Sequence, residues 1–417
     1  MTIDRLHVEN FKSIREVDVE FSDLNVFVGR NAAGKSNLFE VFQFLRDARD
    51  VGLNDAVQLQ GGIEYLRNKT IRKNNNMKIE TGLKSNKKEG EEERGGRGDN
   101  SSDKLFLELE FIDNSYNVVA DIKSSVSVSK SESDSEVWVA SVDQNIGVFS
   151  GLKYIKNRFE NIEEEHIGSE ISNKEHENIE SKISESIESK SYNIENKDVE
   201  LLKSKESLNL GQTYDIQTKK IQQPTTLKGK TELEPDGSNL ALVIRNIVED
   251  EEQKEKFVTL VSDVLPFVSD SDVETMPDQS LFLKILEEFE PGEDQYIPAS
   301  MLSDGTLRVL ATIVLLYFSD EETIFIEEPG RNVHPSLIAN LMAKIRDVTE
   351  NTDKQVFITT HNVEVVRNAP LESIRLVSRG DDGFTQVEQP AESERVQTFL
   401  ENGMGIGELY TENLLGE

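Results

Sequence analysis

The 417-residue chain carries 79 acidic against 46 basic residues, a formal net charge of −33 and a pI near 4.6. It has no cysteine, which excludes disulfides and thiolate metal sites and suits a reducing cytosol. The opening MTIDRLHVENFKSI lacks the apolar core of a signal peptide. The longest apolar run, Ala311 to Phe318, falls far short of the roughly 20 residues of a membrane helix. The sequence therefore reads as soluble and cytoplasmic, with no membrane partner. The acidic surplus reads either as a well-solvated surface or as adaptation to a salty cytoplasm, where self-repulsion is screened within about 3 Å at 1 M salt. Lysine is sparse before residue 80 and after residue 236 while acids stay abundant, which favours a halophile. The same charge argues against indiscriminate DNA binding, because phosphate contacts depend on Lys and Arg.

In chain order, Ile3 to Val8 and Val17 to Phe21 alternate apolar and polar residues as half-buried strands do. Leu24 to Val28, a run apolar but for Asn25, suits a buried central strand. A glycine-rich loop follows, and Asn37 to Asp50 then places Leu38, Val41, Phe42 and Leu45 at helical spacing. From residue 84 to residue 235 the composition turns to Ser, Glu and Lys with few core residues, the character of a partly disordered insertion. Within it Leu105 to Ile112 and Val137 to Val142 predict strands. Ile179, Ile183, Ile187 and Ile194 fit one amphipathic helix or half of a short coiled-coil hairpin, although a floppy insertion fits their polar surroundings better. Compact patterning returns after Pro235. Asn239 to Val248 and Phe257 to Leu265 predict helices, and Leu281 to Phe289 fits either strand or helix. Helix and strand then alternate through Thr306–Phe318, Thr323–Ile326, Pro335–Val348, Gln355–Thr359 and Val363–Ala369. Ile374 to Ser378 and Thr385 to Glu388, joined through GDDG, predict a hairpin. Such alternation argues for a three-layer α/β domain.

Four segments carry chemistry. Gly29-Arg30-Asn31-Ala32-Ala33-Gly34-Lys35-Ser36 fits G-x-x-x-x-G-K-[ST] between a buried strand and a helix, the context of a phosphate-binding loop. Its backbone N–H groups would cradle phosphate oxygens, Lys35 would neutralise the β- and γ-phosphates, and the Ser36 hydroxyl would ligate Mg²⁺. The apolar strand Ile324-Phe325-Ile326 ends in Glu327 and Glu328. Acids at such a strand tip are costly unless a cation or a reacting water uses them, though alone they would read as solvated strand-end acids. Leu302-Ser303-Asp304-Gly305-Thr306 precedes a helix and combines a capping serine with a flexible glycine, an anion-binding device at best and a common cap at least. His361 follows the strand Val356-Phe357-Ile358 and the pair Thr359-Thr360, placed to hydrogen-bond a γ-phosphate. His334 with Pro335 reads more simply as a helix start.

These segments, in this order, resemble the ABC-type ATPase head, in the branch containing SMC, RecF and OLD-like proteins. Val8-Glu9-Asn10-Phe11-Lys12-Ser13-Ile14 looks like that branch's first strand and turn, and Leu302 to Arg308 like its signature motif. Glu327-Glu328-Pro329 through His334-Pro335 looks like its Walker B and D-loop region, and Thr360-His361 like its switch histidine. The chain is most similar to stand-alone, RecF-like AAA-type ATPases of prokaryotes, with counterparts also at Gly61-Gly62, Asp236-Gly237-Ser238-Asn239-Leu240 and Gly405-Ile406-Gly407-Glu408-Leu409.

The resemblance implies an α/β P-loop NTPase. Its ABC-ATPase-like head would be a three-layer α/β sandwich with an antiparallel β subdomain, interrupted by the polar insertion. The head's halves would be residues 1–83 and 236–417. It implies ATP and Mg²⁺ as cofactors, with Asn31 to Asn37 around the triphosphate, Ser36 and Glu327 on the metal, Glu328 as hydrolytic base and His361 on the γ-phosphate. Ser303 and Gly305 would act in trans on the nucleotide of a second subunit, giving a homodimer across two ATP sites. The chain departs from the commonest pattern at Glu327, where Asp is usual. Gln60 is a candidate only for the glutamine loop.

The function so implied is ATP hydrolysis coupled to dimerisation, in DNA repair, DNA maintenance or anti-phage defence, with DNA and a separately encoded effector or nuclease as partners. The chain ends soon after the hairpin, with no room for an appended nuclease. The alternatives are a nucleotide-dependent switch with little hydrolysis and, less favoured, a transporter ATPase.

Overall fold

The computed structural model describes residues 2–66, 76–84, 102–112, 115–125, 136–143, 148–149, 153–156, 210–227, 229–288 and 295–416. The chain begins with strands β1 (Thr2–Phe11), β2 (Ile14–Glu20) and β3 (Leu24–Val28), then helices α1 (Lys35–Val51), α2 (Leu53–Leu59) and α3 (Ile63–Leu66). Strands β4 (Met77–Lys84), β5 (Ser102–Ile112), β6 (Ser115–Ser125), β7 (Glu136–Asp143), β8 (Val148–Phe149) and β9 (Lys153–Lys156) follow. Next come β10 (Gln212–Tyr214), α4 (Thr218–Ile221), β11 (Thr225–Thr226), α5 (Leu240–Val248), α6 (Glu251–Val264), β12 (Val268–Thr275), β13 (Ser280–Glu287) and β14 (Gln295–Pro298). The last part is α7 (Asp304–Phe318), β15 (Thr323–Glu327), α8 (Pro335–Asn351), β16 (Gln355–Thr360), α9 (Val363–Arg367), β17 (Ile374–Arg379), β18 (Thr385–Glu388), α10 (Glu394–Glu401) and α11 (Ile406–Thr411).

The chain divides into two compact units. One comprises Met1–Arg5, Ser13–Arg46 and Leu208–Glu417; the other comprises Leu6–Lys12 and Asp47–Ser207. The first is built on a six-stranded sheet in the order β10-β15-β16-β3-β17-β18. All its pairs are parallel except the β17–β18 hairpin. The central strands LNVFV, TIFIE and QVFITT are buried along nearly their whole length, as strands covered on both faces must be.

Alternation along these strands sends two sets of side chains to opposite faces. Phe27, Phe325 and Phe357 meet Phe39 and Phe42 of α1, with the Phe325 and Phe357 rings stacked at 4.4 Å. Val26, Val28, Ile324, Ile326, Val356 and Ile358 belong instead to the core that contains α5, α6, α7 and α8. Helix α7 lies within this core, buried without interruption from Gly305 to Leu316. These are the three layers expected from the alternating pattern. A smaller antiparallel sheet, β11-β13-β12 with β14 on β13, packs through β12 and β13 against α5.

In the second unit β1, β4, β5, β6, β7 and β8 follow one another in a sheet, with β9 also on β7, and the pairs from β4 onward are antiparallel. The strands predicted at Leu105 to Ile112 and Val137 to Val142 are β5 and β7. Ile179, Ile183, Ile187 and Ile194 lie outside the described residues. Of Leu281 to Phe289, open between strand and helix, Leu281 to Glu287 belongs to strand β13, with alternating burial, and Phe289 lies outside the described residues. Strand β10 falls within the segment expected as insertion, yet it pairs with β15 in the central sheet. Among the described residues, no helix is long and apolar enough to cross a membrane.

Candidate functional site

The carboxyl ends of β3, β15 and β16 meet at one edge of the parallel sheet, where ligands of open α/β sheets bind. β3 runs straight into the glycine loop and then α1, whose first turn contains no acidic residue. A cleft of about 220 Å³ opens there, lined by Asn31 to Asn37, Glu327, Glu328, Thr359 and Arg379. The loop fits only small residues at its hinges. A Cβ on Gly29 would overlap the Val377 carbonyl, and one on Gly34, at φ +110°, would overlap the Thr385 hydroxyl. Ala32 also holds a left-handed conformation, φ +63°.

The Lys35 ammonium donates to the carbonyls of Gly29 (2.7 Å) and Arg30 (3.1 Å) from a position 8% exposed. Burial pushes its pKa down, opposed by the charges of Glu328 and Glu327. The Ser36 hydroxyl donates to Glu327 Oε2 at 3.4 Å. Asn37 Nδ2 donates to Ser13 Oγ at 2.5 Å, which ties the start of α1 to the β1–β2 turn. Burial raises the Glu327 pKa, and Asp215, Glu40 and Glu328 add to the rise against the Ser36 hydrogen bond. Negative charge is thus concentrated beside a hydroxyl and a lysine, which a divalent cation would relieve.

Glu328 adopts φ +49°, a left-handed conformation that costs a non-glycine residue about 1–3 kcal/mol and tends to mark functional sites. It is pinned there by three sets of bonds. Its N–H donates to the Thr359 carbonyl (2.9 Å), and its carbonyl accepts from Arg331 N (3.0 Å). Its carboxylate lies 2.6 Å from His361 Nδ1 and accepts longer bonds from Thr360 Oγ1 and His361 N, both at 3.4 Å. The turn after β15 thereby aims Glu328 along the sheet edge, toward the residue that ends β16.

The structure therefore brings Asn31 to Asn37, Lys35, Ser36, Glu327 and Glu328 to one cleft, with His361 hydrogen-bonded to Glu328. Ser303 and Gly305 are not among the residues that line it. Ser303 caps α7, accepting from Thr306 N at 3.0 Å. A Cβ on Gly305 would overlap the backbone of Asn332. Asp304 accepts from Thr218 Oγ1 (2.8 Å) and Asn332 Nδ2 (3.3 Å), joining the starts of α7 and α4 to the loop before α8. His334 caps α8 by accepting from Ser336 N, as its pairing with Pro335 predicts. Gln60 lies in the second unit, where it accepts from Lys12 Nζ at 2.7 Å.

Sequence reasoning missed four residues of this neighbourhood. Asp215 follows β10 and acts on Glu327 by charge. Arg308 of α7 is 3% exposed, and its Nε and Nη1 have no hydrogen-bond partner among the described residues. Arg379 and Thr385 touch the phosphate loop from the β17–β18 hairpin. Only Arg308, a charge inside an otherwise apolar helix, carries a signal visible in the sequence.

Residues 24–367 match the model of a protein family described as "AAA domain, putative AbiEii toxin, Type IV TA system". Among curated proteins, the DNA replication and repair protein RecF of Thermoanaerobacter sp. (strain X514) is 37% identical over 90 residues, 21% of this chain and 25% of that protein. RecF of Lactobacillus acidophilus is 46% identical over 46 residues, 11% of this chain and 12% of that protein. The chain thus spans a quarter or less of the length of these relatives. Among solved structures, the SmcHead bound to the C-winged helix domain of ScpA superposes with a TM-score of 0.50 at 15% identity, covering 93% of this chain and 98% of that one. At that identity the likeness shows the fold.

Proposed function

The chain belongs to this AAA-domain family, and from that premise we propose that it is a RecF/SMC-like, ABC-type ATPase that binds and hydrolyses ATP with Mg²⁺ in the Gly29–Ser36 cleft. The observation that carries this reading is the meeting of Lys35, Ser36, Glu327 and Glu328 at one sheet edge from distant parts of the sequence. The residues fit both groups. Loop hinges that admit only glycine let the backbone curl tightly enough to wrap a phosphate, and the crowded carboxylate of Glu327 beside Ser36 suits a hard divalent cation. Mg²⁺ would supply charge neutralisation between the phosphates.

Lys35 contributes positive charge to the phosphate chain. Glu328, held in its strained turn, accepts the proton of the attacking water. His361, half exposed, is free to exchange its bond to Glu328 for the terminal phosphate and so report the nucleotide state. Ser303, at the N-terminus of α7, serves a second copy across an ATP-dependent dimer. The RecF likeness supports work on DNA, and the family description supports a defence role. A fluorescent ATP analogue titrated with and without Mg²⁺, together with light scattering, tests the reading. It expects Mg²⁺-dependent binding abolished by Lys35→Ala and a doubling of mass with ATP in Glu328→Gln. Equal binding by Lys35→Ala would refute the site, and a mass unmoved by ATP would refute the dimer.

A further inference from the structure

The β17–β18 hairpin grips the phosphate loop from behind, and the loop needs that grip. Ala32 sits at φ +63°, a conformation L-residues resist by about 1–2 kcal/mol. The turn containing it closes through the bond from Ala33 N to the Arg30 carbonyl at 3.2 Å. Arg379, the last residue of β17, donates from Nε to the Ala32 carbonyl at 2.8 Å and from Nη1 to the Gly383 carbonyl at 2.6 Å. Its guanidinium thereby ties the strained residue to the hairpin's own turn. One strand later, Thr385 Oγ1 donates to the Ala33 carbonyl at 3.1 Å and lies 2.7 Å from Ser13 Oγ. Arg379 also lines the cleft, and its hydrogen bonds among the described residues engage Nε and Nη1, not Nη2.

We propose that Arg379 is a second cation of the phosphate site: it locks the strained Ala32 turn through the carbonyl and turns its remaining guanidinium edge to the phosphate chain. A planar fork with five donors can hold two carbonyls and still face an anion, which lysine, a single point of charge, cannot. Lys35, buried and engaged with Gly29 and Arg30, supplies charge from the loop's interior, and Arg379 supplies it from the hairpin side. The inference rests on the nucleotide-binding reading for its second half only, because the lock is a property of the ligand-free loop.

Two readouts separate the halves. Amide hydrogen exchange across residues 29–34, measured without nucleotide, should be about tenfold faster in Arg379→Met than in the parent, with exchange in β15 and β16 unchanged. Loss of a charge-assisted hydrogen bond predicts a Kd for a fluorescent ADP analogue raised roughly 10- to 100-fold in Arg379→Met, and by an intermediate factor in Arg379→Lys. Arg15→Met, which removes a different hairpin anchor paired with Asp382 at 2.8 Å, should move neither readout. Unchanged loop exchange in Arg379→Met overturns the lock, and unchanged affinity overturns the phosphate contact. An equal response in Arg15→Met reduces Arg379 to general support of the hairpin and overturns both. If the parent itself does not bind the analogue, the nucleotide reading and the phosphate contact fail together while exchange still decides the lock.

Discussion

Replacing Gly34 by alanine probes the phosphate loop at its tightest point. Gly34 holds φ +110°, outside the region open to L-residues, and a Cβ there would come within 2.9 Å of Thr385 Cγ2 and 3.0 Å of its Cβ, with the hydroxyl closer still. Thr385 cannot turn aside cheaply, being 2% exposed and hydrogen-bonded to Ser13 and the Ala33 carbonyl. Backbone strain of about 1–3 kcal/mol adds to overpacking of about 1–3 kcal/mol. The expected loss is therefore about 2–6 kcal/mol, measured by urea unfolding. If the loop deforms instead, part of the loss moves from stability to nucleotide affinity. A double-mutant cycle with Thr385→Ala divides the two terms. The smaller partner removes the hydroxyl and methyl overlaps but keeps its own Cβ and leaves the strain, so the coupling should return at most about 1–3 kcal/mol. A Gly34→Ala protein within about 0.5 kcal/mol of the parent, and with the same affinity for nucleotide, would refute the reasoning.

Phe357→Ala opens the aromatic layer, where the ring contacts Phe325, Phe42, Phe27 and Phe21, and should cost about 3–5 kcal/mol in urea unfolding. A loss below 1 kcal/mol would mean that the layer repacks freely. Glu327→Gln should divide stability from function. Burial raises the Glu327 pKa above 4.5, so the folded state binds its proton more tightly than the unfolded chain does. The stability this gives is present below the unfolded value and lost as pH rises through the folded one. At pH 7 the ionised carboxylate is therefore a net penalty, and Glu327→Gln should melt higher than the ligand-free parent, with the difference shrinking toward pH 4. The same variant should lose Mg²⁺-dependent tightening of nucleotide binding. An unchanged melting temperature at pH 7 would remove the basis for placing a cation there.

The central sheet was legible because each of its long strands announces itself locally. Leu24 to Val28 and Thr323 to Ile326 are apolar except at Asn25 and Thr323, close to the continuous apolar run of parallel strands buried on both faces. The phosphate loop was legible because its glycines and lysine are fixed by backbone geometry at short range. β10 was not, since Gln212-Thr213-Tyr214 is too short to show a period and becomes a strand only by pairing with Ile324 to Ile326. Asp215 was hidden with it. Arg379 and Thr385 read as ordinary hairpin residues until the chain returns beside Ala32 and Gly34, a contact between distant sequence positions. The left-handed turn at Glu328 was equally invisible, because the bonds that impose it come from Thr359 and Thr360 at the end of β16 and from His361 just after it.

The central claim, that this cleft hydrolyses ATP through Glu328, is tested most directly by steady-state phosphate release from the pure protein with Mg²⁺, at low and high salt and with and without DNA. The account predicts ATP-dependent release in the parent that falls at least about 100-fold in Glu328→Gln, as expected for loss of a general base, while binding of the fluorescent ATP analogue is kept. Release that is the same in both proteins would contradict it.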